Sequence, residues 1–251
     1  LDDTDSIYQD LMNGVHGEVV IVGDFETSAV MPSLETLVEN WESEAAFARI
    51  PEAAQVDLPG REITIETPDK ANAVYLAGLN LAIKDGDADF ATLVMANFIL
   101  GGGSLASRLG DRVRQQEGLS YGIRSGFSAH PIDDRGRLTI SAITNPNNQT
   151  KLEKAISEEL NRWIEEGITE EELKRAQQGY LQGQQLQRSN DRVLTGLIGS
   201  TLFAGRTLDY YADLEKAIGR LYPEAVNETV RKRISSNKLI QVFAGDVGAK
   251  E

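Results

Sequence analysis

The glycines in the middle of the chain leave few ways to fold it. Gly101, Gly102 and Gly103 separate two segments in which apolar side chains recur with the period of a helix. Gly118 closes the second segment, at a place suited to a helix-capping glycine, and an alternating strand pattern begins at Tyr121. This arrangement predicts a helix, a glycine turn, a second helix and then a strand.

Strand patterns lie on both sides of a long helical block. Within that block, Thr169–Glu172 has the form of a capping box and Pro223 suits the first turn of a last helix. The apolar stripe before them consists of Leu152, Ile156, Leu160 and Trp163, and the strand patterns cover residues 63–65, 74–83, 121–129, 138–143 and 239–244. Strands that bracket helices in this way predict an α+β fold, with a mostly antiparallel sheet covered by helices.

Two short apolar runs with the same ending predict an internal repeat. Val19–Val22 is closed by Gly23-Asp24, and Leu239–Ala244 is closed by Gly245-Asp246, at a domain-sized spacing. On this interpretation, residues 1–50 are the end of a preceding homology unit and contain its last strand and a helix over residues 33–47. The proline-flanked residues 51–60 are a linker, and residues 61–251 form a second, complete α+β unit.

Composition excludes several classes of protein. The net charge of −14 argues against binding a phosphate backbone, so no nucleic-acid partner is expected. No apolar run reaches the length of a membrane span, and we expect a soluble protein. The absence of cysteine is compatible with the bacterial periplasm, which is our expectation, and with the cytoplasm as the alternative.

The two histidines do not form a metal site. His16 and His130 lie far apart, and neither has a second histidine or a glutamate at helical ligand spacing. The sequence therefore predicts no metal and no cofactor in this chain, and no peptide hydrolysis by the chain alone.

The segment from Ser107-Arg108-Leu109 through Arg114 and Glu117-Gly118-Leu119-Ser120 to Tyr121 resembles the substrate-binding, zinc-less half of one peptidase family. This is the insulinase, pitrilysin and mitochondrial-processing-peptidase family of zinc endopeptidases, which are built from tandem homologous units. The resemblance implies that Arg114 and Tyr121 are catalytic residues that complete a zinc site in a partner half. It also implies that Gly101, Gly102, Gly103 and Ser104 bind the substrate backbone.

The resemblance leads to a functional prediction with open alternatives. We expect the substrate-binding half of a zinc metalloendopeptidase that cleaves peptides or unfolded segments, with zinc in a homologous half on the same polypeptide or a separate subunit. The alternative is a non-catalytic scaffolding or peptide-binding subunit of the same family. At the level of single residues, Arg114 could be a solvated helix-end arginine, Tyr121 a core-facing strand tyrosine, and the glycines a hinge between helices.

Overall fold

The computed structural model describes residues 2–11, 16–39, 41, 47–103 and 106–247. The chain divides into two compact units. One comprises Glu52–Gly183 and Asp213–Glu251, and the other comprises Leu1–Pro51 and Gln184–Ala212. The assignment of residues 1–50 to a preceding homology unit stays a prediction.

The larger unit is built on a five-stranded sheet. Its strands are β1 (Arg61–Glu66), β2 (Ala73–Leu81), β3 (Arg124–Ala129), β4 (Gly136–Thr144) and β5 (Ile240–Gly245), in the spatial order β1-β5-β2-β4-β3. Only β1 and β5 run parallel to each other, and the other pairs are antiparallel. The predicted α+β class with a mostly antiparallel sheet is therefore confirmed.

Helices cover one face of this sheet. They include α3 (Phe90–Asn97), α4 (Gln149–Glu165) and α8 (Pro223–Arg233), and the predicted stripe Leu152, Ile156, Leu160 and Trp163 on α4 is fully buried. Alternate residues of β2 and β4 point into this core, as the period of two requires. Their remaining side chains lie on the opposite face, where Leu76 and Ile143 are about half exposed.

The local signals in the helical block formed as expected. The Thr169 hydroxyl accepts from the Glu172 N–H at 3.2 Å, while the Glu172 carboxylate accepts from the Thr169 N–H at 2.8 Å, which is a complete capping box. It opens α5 (Glu170–Arg188), and Pro223 begins α8. Gly196 and Gly199 lie inside α6 (Asp191–Phe203) and do not interrupt it. This helix begins where the Asn190 side chain accepts from the Val193 N–H at 3.2 Å, and α7 (Asp209–Gly219) follows it.

The smaller unit corrects two predictions for the N-terminal residues. The run from Val19 to Val22 is not a strand, and Val19 and Ile21 are exposed, because no strand among the described residues pairs with it to satisfy its backbone groups. The helix expected over 33–47 is instead α2 (Thr27–Val38), which continues through Pro32 and follows α1 (Asp2–Leu11). Residues 40 and 42–46 of the expected helix lie outside the described residues.

The proposed linker has no regular secondary structure but is attached to the larger unit. Within residues 51–60, the Ala54 N–H donates to the Asp134 carbonyl at 3.0 Å, and the Gly60 N–H donates to the Asn237 carbonyl at 3.0 Å. None of the described helices is long and apolar enough to cross a membrane.

Candidate functional site

Arg114 and Tyr121 lie in contact with each other. The guanidinium carbon of Arg114 is 4.2 Å from the centre of the Tyr121 ring, which is the geometry of a cation–π interaction. The two residues that the sequence singled out are therefore brought to one place, although they belong to different local structures.

The polar ends of both side chains are available to a ligand. Tyr121 is 83% exposed, and its hydroxyl has no hydrogen-bond partner among the residues that the structure describes. Arg114 is half-buried and forms no ion pair with any carboxylate in the same described part of the chain. A phenol and a guanidinium without protein partners can donate hydrogen bonds to oxygen atoms of a bound molecule.

Tyr121 lies in a bend before the sheet and not in a strand. Ser120 anchors this bend: its hydroxyl donates to the Ile143 carbonyl at 2.7 Å and accepts from the Gly122 N–H at 3.2 Å. The strand β3 begins only at Arg124. The predicted strand start at Tyr121, and the interpretation of Tyr121 as a core-facing residue, are wrong because the bend directs the ring into solvent.

The helix that carries Arg114 is wider than an α-helix. Gly110–Gln116 forms a π-helix, and the Glu117 N–H donates to the carbonyl of Arg112, five residues earlier, at 3.2 Å. Gly118 then takes a φ of 62°, and the Leu119 N–H donates to the Val113 carbonyl at 2.9 Å. The cap at Gly118 is confirmed, while the α-helical geometry assumed for Arg114 is not. Short π segments occur frequently at functional sites.

The Ser107-Arg108-Leu109 part of the motif positions this helix. Arg108 donates to the Glu172 carboxylate at 2.7 Å through Nε, and to the Gly167 carbonyl at 2.7 Å through Nη2. Burial alone raises the pKa of Glu172, but the hydrogen bonds from Arg108 and Thr169 outweigh it and hold that pKa below its usual value. Ser107 and Leu109 are buried, so the segment before Arg114 is fixed to α5 and to the core.

Arg114 and Tyr121 line an open cleft of about 480 Å³ on the face of the sheet opposite to α3, α4 and α8. The cleft contains a residue that sequence analysis did not single out: Arg124, whose Nε donates to the Ser141 hydroxyl at 3.3 Å. Its lining residues are Val74, Leu76, Gly110, Arg114, Tyr121, Gly122, Ile123, Arg124, Ser141, Ala142 and Ile143. None of these is acidic. The cleft therefore offers two cations and a phenol to carbonyl or carboxylate oxygens.

The glycine segment has structural reasons to be glycine. A Cβ atom on Gly101 would lie 2.6 Å from the backbone nitrogen of Ser125, and one on Gly103 would lie 2.7 Å from the Phe98 carbonyl oxygen. Gly101 is buried in a π-helical turn, Phe98–Gly102. Gly101–Gly103 are not among the residues that line the cleft at Tyr121, and Ser104 lies outside the described residues. The role of these residues in substrate binding stays a prediction.

The residues described do not fit a zinc ion. No group of three or more histidine, cysteine, aspartate or glutamate side chains lies close enough together in the described part of the chain to hold a metal.

Comparison with known proteins gives a consistent result. Residues 1–180 match the family described as the peptidase M16 inactive domain. The chain is 28% identical over 173 residues to the non-peptidase homolog YmxG of Helicobacter pylori, an alignment that covers 68% of this chain and 39% of that protein. It is 37% identical over 86 residues to the uncharacterized zinc protease YmxG of Bacillus subtilis, covering 34% of this chain and 20% of that protein.

The fold agrees with these matches. The crystal structure of a peptidase M16 inactive domain from Pseudomonas fluorescens superposes with a TM-score of 0.75 at 26% identity, over 92% of this chain and 53% of that one. The chain thus spans less than half the length of the two sequence relatives and about half of this structure. The resemblance found in the sequence is confirmed.

Proposed function

Because this chain belongs to the peptidase M16 inactive-domain family, we propose that it is the substrate-binding half of a zinc metallopeptidase. A homologous half, on the same polypeptide or a separate subunit, holds the zinc. The zinc is assigned to that half because the residues described here do not fit it. The peptide lies in the cleft at Tyr121, and the chain by itself does not cleave it.

The observation that carries this proposal is the contact between Arg114 and Tyr121 with both polar ends unused. Peptide hydrolysis places negative charge on the carbonyl oxygen in the transition state, and a preorganised donor to that oxygen accelerates the reaction. The Tyr121 hydroxyl serves as such a donor. The Arg114 guanidinium binds the same oxygen or an adjacent peptide carbonyl, and the ring beneath it fixes its position.

A second candidate function has an observation in its favour. One relative carries the name non-peptidase homolog, which supports a scaffolding or peptide-binding subunit without catalysis. A scaffold, however, has no chemical need for an exposed phenol in contact with an arginine that has no carboxylate partner in the described part of the chain.

The test is to combine this chain with the homologous half that carries the zinc, or to express both as one polypeptide, and to follow cleavage of unstructured fluorogenic peptides. We expect no cleavage by the 251-residue chain alone and chelator-sensitive cleavage by the assembly. Arg114→Ala should raise KM, lower kcat or do both, and Arg114→Lys should restore only part of the loss because lysine lacks the planar fork of donors.

Two results decide between the candidates. If the assembly cleaves peptides and the Arg114→Ala, Tyr121→Phe double variant does so equally well, the pair has no catalytic role. If no peptide is cleaved by an assembly that binds zinc, the scaffold function replaces the catalytic one.

A further inference from the structure

The cleft at Tyr121 is one end of a longer trough on the face of the sheet opposite to α3, α4 and α8. A second cleft of about 310 Å³ shares Leu76 with it, and a third of about 440 Å³ shares Asn80 and Arg137 with the second. The three clefts follow β4 from Ile143 to Arg137. The six residue steps from Ile143 to Arg137 span about 20 Å, the length of about six steps along an extended peptide.

Small side chains and apolar side chains form the floor of the trough. Gly78 on β2 and Thr139 on β4 are paired neighbours, and both line the second cleft. Beside them, Leu76 pairs with Val242. A strip of glycine and aliphatic side chains on this face allows a peptide backbone to approach the sheet closely and to make apolar contacts.

The charge of the trough is opposite to that of the whole chain. The chain has 39 acidic and 25 basic residues, yet no aspartate or glutamate lines any of the three clefts. Their basic lining residues are Arg114, Arg124, Arg135, Arg137 and Lys238. Because acidic residues predominate elsewhere, their absence here leaves a local positive surface.

Arg137 is the cation best placed to bind a side chain of the ligand. It is exposed, lies where the second and third clefts meet, and forms no ion pair with another described residue. A Cβ atom added to Gly78 would lie only 3.3 Å from the Arg137 Nη2, so the glycine allows the guanidinium to lie close to the sheet. By contrast, two other cations of the trough have carboxylate partners. Arg135 forms an ion pair with Glu52, and the Lys238 Nζ lies 3.9 Å from the Asp57 Oδ1.

We propose that the trough binds an extended acidic peptide, and that Arg137 selects a carboxylate side chain about six residues from the peptide bond held at Arg114 and Tyr121. The position relative to that bond rests on the proposed function, whereas the preference for an acidic side chain does not. A nucleic acid is the less suitable anion, because the net charge of −14 opposes a polyanion and the floor is apolar.

The binding test uses fluorescein-labelled peptides of glycine, serine and leucine, with one glutamate six residues to either side of a central leucine pair. Matched peptides carry glutamine or lysine at the same place. We expect the 251-residue chain to bind one of the glutamate peptides about fivefold tighter than its glutamine analogue, as for an exposed ion pair, and to lose the preference at high salt.

Variants then locate the preference. Arg137→Gln should abolish it, Arg137→Lys should retain most of it, and Arg137→Glu should reverse it in favour of the lysine peptide. Arg220→Gln is the matched control, because Arg220 is an exposed arginine of the same unit that lines none of the three clefts. A reversal by Arg137→Glu cannot arise from misfolding.

Equal affinity for glutamate and glutamine peptides overturns the inference, as does a preference that survives Arg137→Gln or an equal loss in Arg220→Gln. Displacement of the peptide by a single-stranded oligonucleotide would assign the trough to nucleic acid instead. Cleavage of the glutamine peptide as fast as the glutamate peptide by the assembly removes the inference and leaves the proposed function. Selective binding without any cleavage removes the proposed function and leaves the preference for an acidic side chain.

Discussion

Removal of the Tyr121 hydroxyl should separate catalysis from stability. The hydroxyl lies on a side chain that is 83% exposed and has no hydrogen-bond partner among the described residues, so Tyr121→Phe removes no intramolecular bond seen in the structure. The phenylalanine ring also remains beneath the Arg114 guanidinium. We therefore expect the free energy of unfolding to change by less than about 0.5 kcal/mol, the usual range for a surface substitution.

The same substitution should be costly for turnover. If the hydroxyl donates to the oxygen that gains charge in the transition state, its loss should lower kcat of the assembled peptidase by about 100- to 1,000-fold. Because KM includes binding contacts along the whole peptide, it should change much less. Steady-state cleavage of an unstructured peptide, together with chemical denaturation of the same preparations, measures both quantities.

Tyr75 provides the matched control. This residue is fully buried on β2, and its hydroxyl donates to the Gln241 side chain at 2.7 Å. Burial, together with the carboxylates of Glu153 and Glu62, raises the pKa of Tyr75, so its hydroxyl stays protonated. Tyr75→Phe should cost about 1 kcal/mol of stability and leave kcat unchanged. The catalytic role is refuted if Tyr121→Phe keeps kcat within about threefold of wild type, or if it destabilises the chain as Tyr75→Phe does.

Three further predictions concern the cap, a charged cluster and the metal. Gly118→Ala should lower the free energy of unfolding by about 1 kcal/mol or more, because Gly118 has a φ of 62° that a residue with a Cβ atom rarely adopts. Gly122→Ala is the control: both positions have open space where the Cβ would lie, but Gly122 has no positive φ, so its substitution should be nearly neutral. Denaturant unfolding of the two variants measures the difference. Burial raises the pKa of Asp89, but hydrogen bonds from Arg233 and Lys232 outweigh burial and lower this pKa overall. The ionised Asp89 therefore stabilises the fold above the usual carboxylate pKa, and this stabilisation is lost as the pH falls through the lowered pKa. Asp89→Asn should thus cost about 1–2 kcal/mol at pH 7 and progressively less below about pH 4, and equal losses at both pH values would contradict the ion-pair explanation. Metal analysis after dialysis should find well under one zinc per chain, and a stoichiometric, chelator-sensitive zinc would show that this half holds its own metal site.

Much of the larger unit follows from local patterns. The stripe on α4, the capping box at Thr169 and the alternation along β4 each depend on residues close in sequence, and all three are present in the structure. Arg114 and Tyr121 could be selected for the same reason, because the motif that carries them is continuous. Their exposure followed from the structure, since the bend after Ser120 depends on a hydrogen bond to Ile143, on another strand.

Other features depend on groups that are distant in the chain. The run at Val19 has the composition of a buried strand, but a strand needs a neighbour for its backbone hydrogen bonds, and composition cannot supply one. The trough likewise requires β2, β4 and β5 to lie side by side, and this order places Arg137 next to Gly78. Period and capping are properties of a few consecutive residues, whereas strand order and the absence of carboxylates from one surface arise from long-range packing.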